Sequence, residues 1–284
     1  MNFHQAISDS IIFLCENSIT KRVIRFLHRL LSSRNDIKVR LYGQTIYAST
    51  LDRIVVLYLK KLALVEAFET EFFRSIVKKG MTVIDVGANL GWYSLMAANL
   101  VGKEGRVFAF EPDPENFRLL SKNIQVNGHQ NIKVINQAVS DKTGAGQLFL
   151  CEENRGDHRI YNPNNERRGI EISTTSLDDF FQDSPHIDVI KIDVQGAEHL
   201  VFSGMDQIIK TNAQLFIMME LCPKFLKMCG SSPRDFLKTI ENYGFLIYFI
   251  NEDKKKLEPI NDKKSVEKCL KQKSVNLFLK KTIA

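Results

Sequence analysis

Short apolar runs alternate with helical segments through the middle and end of this chain. The runs are rich in β-branched and aromatic residues and have the length of strands, whereas the intervening segments place apolar residues at helical spacing. Seven strands are predicted in this way, at residues 83–86, 107–110, 132–139, 188–193, 213–220, 245–250 and 274–279. Alternating β and α order predicts an α/β fold with a doubly wound, mostly parallel seven-stranded sheet.

Other patterns flank or interrupt this core. Residues 37–49 alternate apolar and polar positions around Gly43 and predict a hairpin, and residues 147–176 predict an insertion with extra strands. Residues 7–31 are predicted to form a basic amphipathic helix or helix pair, which either packs on the domain or a second subunit or lies on a membrane surface. We therefore divide the chain into an N-terminal helical and hairpin extension, residues 1–64, and a main domain, residues 65–284. The Lys-rich residues 252–273 are predicted to be a surface loop or short helix.

Composition and charge narrow the class of protein. The chain has 284 residues and 44% hydrophobic content, enough for a sizeable core. It has no run of eighteen apolar residues, no secretory pattern at its N-terminus and no zinc-like cysteine spacing, so a cytoplasmic, reduced location is expected. Residues 1–80 carry a net charge of +6, residues 81–250 carry −5 and residues 251–284 carry +5. An acidic core suits a cationic ligand better than a nucleic acid.

The first predicted strand leads into a turn that can hold a nucleotide-like ligand. Gly87 and Gly91 allow a tight turn and a close approach of the backbone to the ligand. Glu111 ends the second strand, where its carboxylate can hold both hydroxyls of a ribose. Asn89 and Trp92 occupy two glycine positions of the dinucleotide fingerprint, so a nicotinamide cofactor is disfavoured.

With an acid before the turn and another closing the second strand, the stretch looks like the S-adenosylmethionine (SAM) site of class I methyltransferases. An ordinary strand, turn and helix with scattered acids is the alternative. The predicted cofactor-binding residues are Asp85, Gly87, Asn89, Gly91, Glu111, Pro112, Ala138 and Val139.

Two acids at strand ends are the main catalytic candidates. Asp193 and Glu220 close neighbouring parallel strands, so both should emerge beside the cofactor as proton acceptor, as anchor for a substrate hydroxyl, or as ligands of a divalent cation. Only two protein oxygens are evident for a cation, so no metal site is predicted. His158 in the insertion could act as a general base paired with Asp157, or be an ordinary loop histidine.

Six sequence blocks, residues 83–91, 107–114, 137–142, 156–160, 175–180 and 190–198, resemble the FkbM-type methyltransferase family. The resemblance implies a Rossmann-like class I fold, SAM as cofactor and methylation of a hydroxyl on a small molecule, sugar or glycan precursor. Gln195 departs from it, since many members carry an acid there. The substrate is assigned to residues 151–172. Methylation of nucleic acid or protein, or a non-catalytic SAM-binding module, are the alternatives.

Overall fold

The computed structural model describes residues 36–49, 67–152, 154–163, 167–182 and 186–281. Its strands are β1 (Asp36–Leu41), β2 (Gln44–Ser49), β3 (Thr82–Val86), β4 (Arg106–Phe110), β5 (Ile132–Ile135), β6 (Ala138–Val139), β7 (Gly144–Phe149), β8 (Gly169–Thr175), β9 (Val189–Ile192), β10 (Phe216–Leu221), β11 (Phe245–Asn251), β12 (Lys256–Pro259) and β13 (Val275–Lys281). Its helices are α1 (Ala67–Ile76), α2 (Trp92–Val101), α3 (Pro114–Val126), α4 (Leu177–Phe180), α5 (Glu198–Ser203), α6 (Asp206–Thr211), α7 (Pro223–Met228), α8 (Pro233–Asn242) and α9 (Lys263–Leu270).

The central sheet has the strand order β12-β11-β13-β10-β9-β3-β4-β5. The five strands from β10 to β5 are parallel, so their carboxyl ends share one edge, while β13 runs antiparallel to both of its neighbours. The mostly parallel α/β fold is confirmed. The sheet has eight strands rather than seven, because β12 pairs with β11 and places Leu257 opposite Ile250. The Lys-rich segment thus supplies an outer strand as well as the short helix α9.

The predicted strand at residues 132–139 is two strands in different sheets. β5 ends at Ile135, and the side-chain amide of Asn136 donates to the carbonyls of Glu111 and Pro112, at 2.8 and 3.2 Å. The chain turns away there, and β6 pairs with β8, which also pairs with β7. The extra strands expected at residues 147–176 correspond to the end of β7 and to β8, which form a three-stranded sheet with β6. The turn brings Ala138 and Val139 back toward the carboxyl edge.

Alternate residues of the central strands feed two separate cores. Val83 packs with Phe73 and Leu95 on one face of the sheet, whereas Ile84 packs with Phe202 and many others on the opposite face. This division follows from the two-residue repeat of a strand. Sheets covered by helices on both faces carry near-continuous apolar strands, which is the pattern seen in the sequence.

The hairpin of β1 and β2 is confirmed, with Leu41 opposite Gln44 around a two-residue turn. It is fastened to α3, where the side-chain oxygen of Asn123 accepts from the Tyr47 amide at 2.7 Å and that of Asn127 accepts from the Thr45 amide at 2.8 Å. Residues 7–31 and the predicted boundary at residue 64 lie outside the described residues, so both stay predictions. Within the described part of the chain, no helix has the length and hydrophobicity needed to cross a bilayer.

Candidate active site

The turn after β3 is shaped by residues with left-handed backbones. Gly87 has φ +82°, and a Cβ atom there would lie 2.0 Å from the carbonyl oxygen of Asp193. Gly91 has φ +90°, caps α2, and would bring a Cβ within 2.5 Å of the Leu120 side chain. Asn89 between them has φ +51°. Glycine is therefore required at both positions, and the turn presents backbone to the cleft, as predicted for a ligand that approaches closely.

Glu111 closes one side of this cleft. Its carboxylate accepts from the Asn89 amide at 2.8 Å and from the Asp113 amide at 2.9 Å. The side chain is buried, and this desolvation raises its pKa to about 7 despite those two hydrogen bonds. Each carboxylate oxygen can accept further hydrogen bonds, so the pair can receive the two hydroxyls of a ribose.

Two of the predicted cofactor ligands lie behind the cleft instead of lining it. The Asp85 carboxylate is buried and accepts from the Ser94 hydroxyl at 2.5 Å, which ties β3 to α2. Burial raises its pKa to about 6. Gly91 is turned toward Leu120. Asp85 and Gly91 therefore shape the turn, and Gly87 and Asn89 are the turn residues that line the cleft.

The remaining predicted residues do line the cleft. Ala138 and Val139 from β6 form an apolar wall with Pro112, while Gly87, Asn89 and Glu111 form the polar side. Asn116 at the start of α3 also lines the cleft and was not predicted, because nothing in the local sequence distinguishes it from other helix polar residues.

The insertion crosses the mouth of the cleft. We call residues 154–160 the strap; it contains a 3-10 turn, Arg155–Asp157. The Arg155 guanidinium pairs with the Asp113 carboxylate at 2.5 Å, and the Asn116 amide donates to the Arg155 carbonyl at 3.3 Å. This part of the insertion therefore covers the cofactor cleft, although the sequence assigned the insertion to substrate. The cleft beneath the strap encloses about 60 Å³.

His158 lies within the strap beside Asp113, and its expected pairing with Asp157 is wrong. Arg159 and Arg167 hold the Asp157 carboxylate, with contacts of 2.6 Å each. His158 Nδ1 accepts from the Cys151 amide at 3.0 Å, and its Nε2 is 3.7 Å from Asp113. Burial lowers the pKa of His158 to about 4, so the ring is neutral with its proton on Nε2. Neither nitrogen then has a free lone pair for a base.

The two predicted acids come together at the carboxyl edge. β9 and β10 pair in parallel with Ile192 opposite Met219, which places Asp193 beside Glu220. Asp193 lines the cleft next to Gly87. The side-chain amide nitrogen of Gln195 lies 2.6 Å from Asp193 Oδ1 and 3.4 Å from Glu220 Oε2. The sequence singled out Gln195 only as a departure from the family pattern and missed this contact.

A buried ion pair between Glu69 and Lys191 lies next to this edge, because Lys191 is in β9 two residues before Asp193. Glu69 of α1 lies 3.6 Å from the Lys191 ammonium and also accepts from Asn276. Both charged groups are about 3% exposed. Burial raises the pKa of Glu69, and the neighbouring Lys191 opposes that shift. Glu69 therefore belongs to the support of β9.

The groups that line the cleft match the chemistry of SAM. Its turn admits no Cβ at Gly87, its carboxylate at Glu111 suits a ribose, and its apolar wall at Ala138 and Val139 suits a flat base. Together with the doubly wound sheet, these features define the class of SAM-dependent methyltransferases.

The comparison with known families agrees. A family model described as the methyltransferase FkbM domain matches residues 85–247, more than half of the chain. The chain belongs to the FkbM methyltransferase family, and its cofactor is SAM.

Individual relatives are more distant. The chain is 25% identical over 159 residues to methyltransferase sdnD of Sordaria araneosa, covering 44% of this chain and 60% of that protein. It is 20% identical over 145 residues to methyltransferase 1 of Beauveria bassiana, covering 44% and 58%. The chain thus spans less than two thirds of these curated relatives. A SAM-dependent methyltransferase structure from Aquifex aeolicus matches with a TM-score of 0.44 and 15% identity, covering 82% of this chain and 99% of that one.

Proposed function

We propose that this methyltransferase transfers a methyl group to a hydroxyl oxygen of a neutral small molecule, sugar or glycan precursor. The observation that carries the proposal is the acid pair of Asp193 and Glu220 at the carboxyl ends of adjacent parallel strands. An alcohol is a weak nucleophile until its proton is removed, so a carboxylate beside the reacting oxygen supplies what hydroxyl methylation needs.

The residues divide the work along the cleft. Glu111 and the turn at Gly87 hold the ribose side of the cofactor, which supplies an electrophilic methyl group when bound. Asp193 accepts the hydroxyl proton of the acceptor, and Glu220 anchors the same hydroxyl or its neighbour. The protein contributes mainly by alignment and by keeping water out, and the strap over the cleft serves the second purpose.

Charge supports a neutral acceptor. Asp193 and Glu220 lie side by side at the carboxyl edge of the sheet, and Glu69 and Asp85 are buried next to Lys191. A phosphate or carboxylate near the reacting hydroxyl would be repelled by these acids. The same charge disfavours a nucleic-acid backbone. The cytoplasmic location expected from the sequence stays a prediction.

The test joins a binding and a turnover measurement. Binding of the demethylated product, S-adenosylhomocysteine (SAH), is measured by calorimetry, and methyl transfer from radiolabelled SAM is measured on neutral sugars and glycosides, with total RNA and cell protein alongside. Asp193→Asn should lower turnover of an accepted sugar by about 10²–10⁴-fold with SAH affinity unchanged. Asp206→Asn, which alters a surface acid paired with Lys210, is the control. Labelling of RNA or protein with no labelled sugar contradicts the proposal.

A further inference from the structure

Asp193 and Glu220 share one hydrogen-bond donor. The side-chain nitrogen of Gln195 is 2.6 Å from Asp193 Oδ1 and 3.4 Å from Glu220 Oε2. An amide NH₂ group has two hydrogens, one for each carboxylate. Both neighbours are acceptors, so the nitrogen of the amide, and not its oxygen, must face them. We call this arrangement the amide bridge.

The backbone at Gln195 adopts an unfavourable conformation that places the side chain in the amide bridge. Gln195 has φ +54°, a left-handed conformation that is unfavourable for a residue with a Cβ atom. Its carbonyl accepts from the Tyr161 hydroxyl at 3.0 Å, and the next amide, of Gly196, donates to the buried Glu198 at 2.8 Å. Strained conformations persist where the surroundings over-determine them, and they concentrate at functional sites.

The next residue, Gly196, is tightly packed and restricts the backbone of this loop. Gly196 has φ +107°, and a Cβ atom there would lie 2.7 Å from both Phe225 and the Tyr161 hydroxyl. Tyr161 comes from the insertion and Phe225 from α7. Two distant parts of the chain therefore fix the position from which Gln195 reaches the acids.

The amide bridge matters because two adjacent carboxylates need a group between them. Two acids this close repel each other unless a cation or a donor lies between them. A divalent cation is the usual partner of paired carboxylates, but it would occupy the lone pairs that must accept a proton from the acceptor. A neutral amide donates one hydrogen to each acid and so joins the two carboxylates without a metal ion.

We propose that Gln195 is a positioning residue that takes the place of a divalent cation between Asp193 and Glu220. This inference rests on the proposed function for the role of the acids, whereas the bridge itself can be tested without an acceptor. It predicts that the acid pair of the wild-type chain binds no divalent cation, and that one change of the amide to a carboxylate creates a cation site.

The first test is a Mn²⁺ titration of the full chain followed by electron paramagnetic resonance. Wild type should show no binding at this site up to about 1 mM, the weak end of protein carboxylate sites. Gln195→Glu should bind at least tenfold more tightly than Gln137→Glu, a control that adds the same charge at the other end of the cleft beside Ala138. Wild-type binding as tight as that of Gln195→Glu, or no difference between the two variants, overturns the proposal.

The second test needs no folded variant of the loop. The side-chain amide protons of Gln195 in the wild-type chain are followed by NMR while Mn²⁺ is added to about 1 mM. Their signals should keep their widths, and broadening beyond that of the Gln137 amide signals overturns the proposal. SAH calorimetry on the same sample separates the two ideas, because loss of SAH binding contradicts the cofactor site and leaves the result on the bridge unaffected.

Discussion

Cofactor binding should weaken as Glu111 takes up a proton. The two ribose hydroxyls need two acceptor oxygens, and protonation turns one carboxyl oxygen into a donor. Burial raises the pKa of Glu111 to about 7, so the carboxyl group takes up its proton near neutral pH, where binding can be measured.

The size of the effect follows from that pKa. If the ionised form alone binds, the dissociation constant scales as one plus the ratio of protonated to ionised carboxyl. That ratio is about 10 at pH 6 and about 0.1 at pH 8, so affinity should fall about tenfold between pH 8 and pH 6. A glutamate of ordinary pKa, about 4.3, would change affinity by only about 2% over the same interval.

The assay is calorimetry of SAH between pH 6 and pH 8 in two buffers of different ionisation enthalpy. SAH lacks the sulfonium charge, so the slope reports on the protein. In Glu111→Gln the amide NH₂ would face one of the two backbone donors, Asn89 or Asp113. That mismatch should weaken binding at pH 8 by about 1–3 kcal/mol and remove the slope. A wild-type affinity that is equal at pH 6 and pH 8, or an equal slope in Glu111→Gln, refutes the reasoning.

The same pKa predicts the opposite trend for the unliganded protein. The folded-state pKa of Glu111, about 7, lies above the unfolded value of about 4.3. Its contribution to stability is therefore complete below about pH 4 and is lost as the pH rises through 7. The melting temperature without ligand should fall from pH 6 to pH 8 more in wild type than in Glu111→Gln.

Three further predictions concern other parts of the chain. Gly87→Ala should abolish SAH binding in calorimetry, since its Cβ would lie 2.0 Å from a backbone oxygen. Gly128→Ala is the control and should bind SAH normally, since its φ is also positive, at +71°, but the space around it is open. Equal binding by both variants would contradict the role of the turn at Gly87 in holding the cofactor. Lys191→Met should cost about 3–5 kcal/mol in urea unfolding by stranding Glu69, and adding Glu69→Gln should restore part of it; a loss below about 1 kcal/mol would show that the pair is not buried as described. For residues 7–31, contact with a membrane predicts that the full chain floats with anionic vesicles and not with neutral ones, whereas packing on the domain or on a second subunit predicts no flotation.

The sequence was sufficient for the parts of the fold that depend on local pattern. Short apolar runs that alternate with helical segments identified the parallel sheet, and the ends of β9 and β10 followed from where those runs stop. Gly87 and Glu111 could be assigned because parallel strands must bring their carboxyl ends together.

The parts that could not be predicted depend on contacts between distant residues. The pairing of Arg155 with Asp113 joins residues 42 positions apart, and with the Asn116 contact it holds the strap over the cleft. His158 looked like a base by residue type, but its protonation depends on burial and on the Cys151 amide. Asp85 stood at the right point of the strand, yet its side chain turned toward Ser94.

The outermost strand, β12, bears on how the folded protein behaves in a crowded solution. A strand at the edge of a sheet exposes unpaired backbone N–H and C=O groups. Another chain can pair with these groups and extend the sheet, which is a common start of aggregation. β12 has only four residues, begins with the exposed Lys256 and ends in Pro259, which has no amide hydrogen to offer. Lys254 and Lys268 crowd the same strand through Glu258. An incoming strand would have to bury these charges, so the lysine-rich end of the chain protects the sheet from growing beyond one molecule.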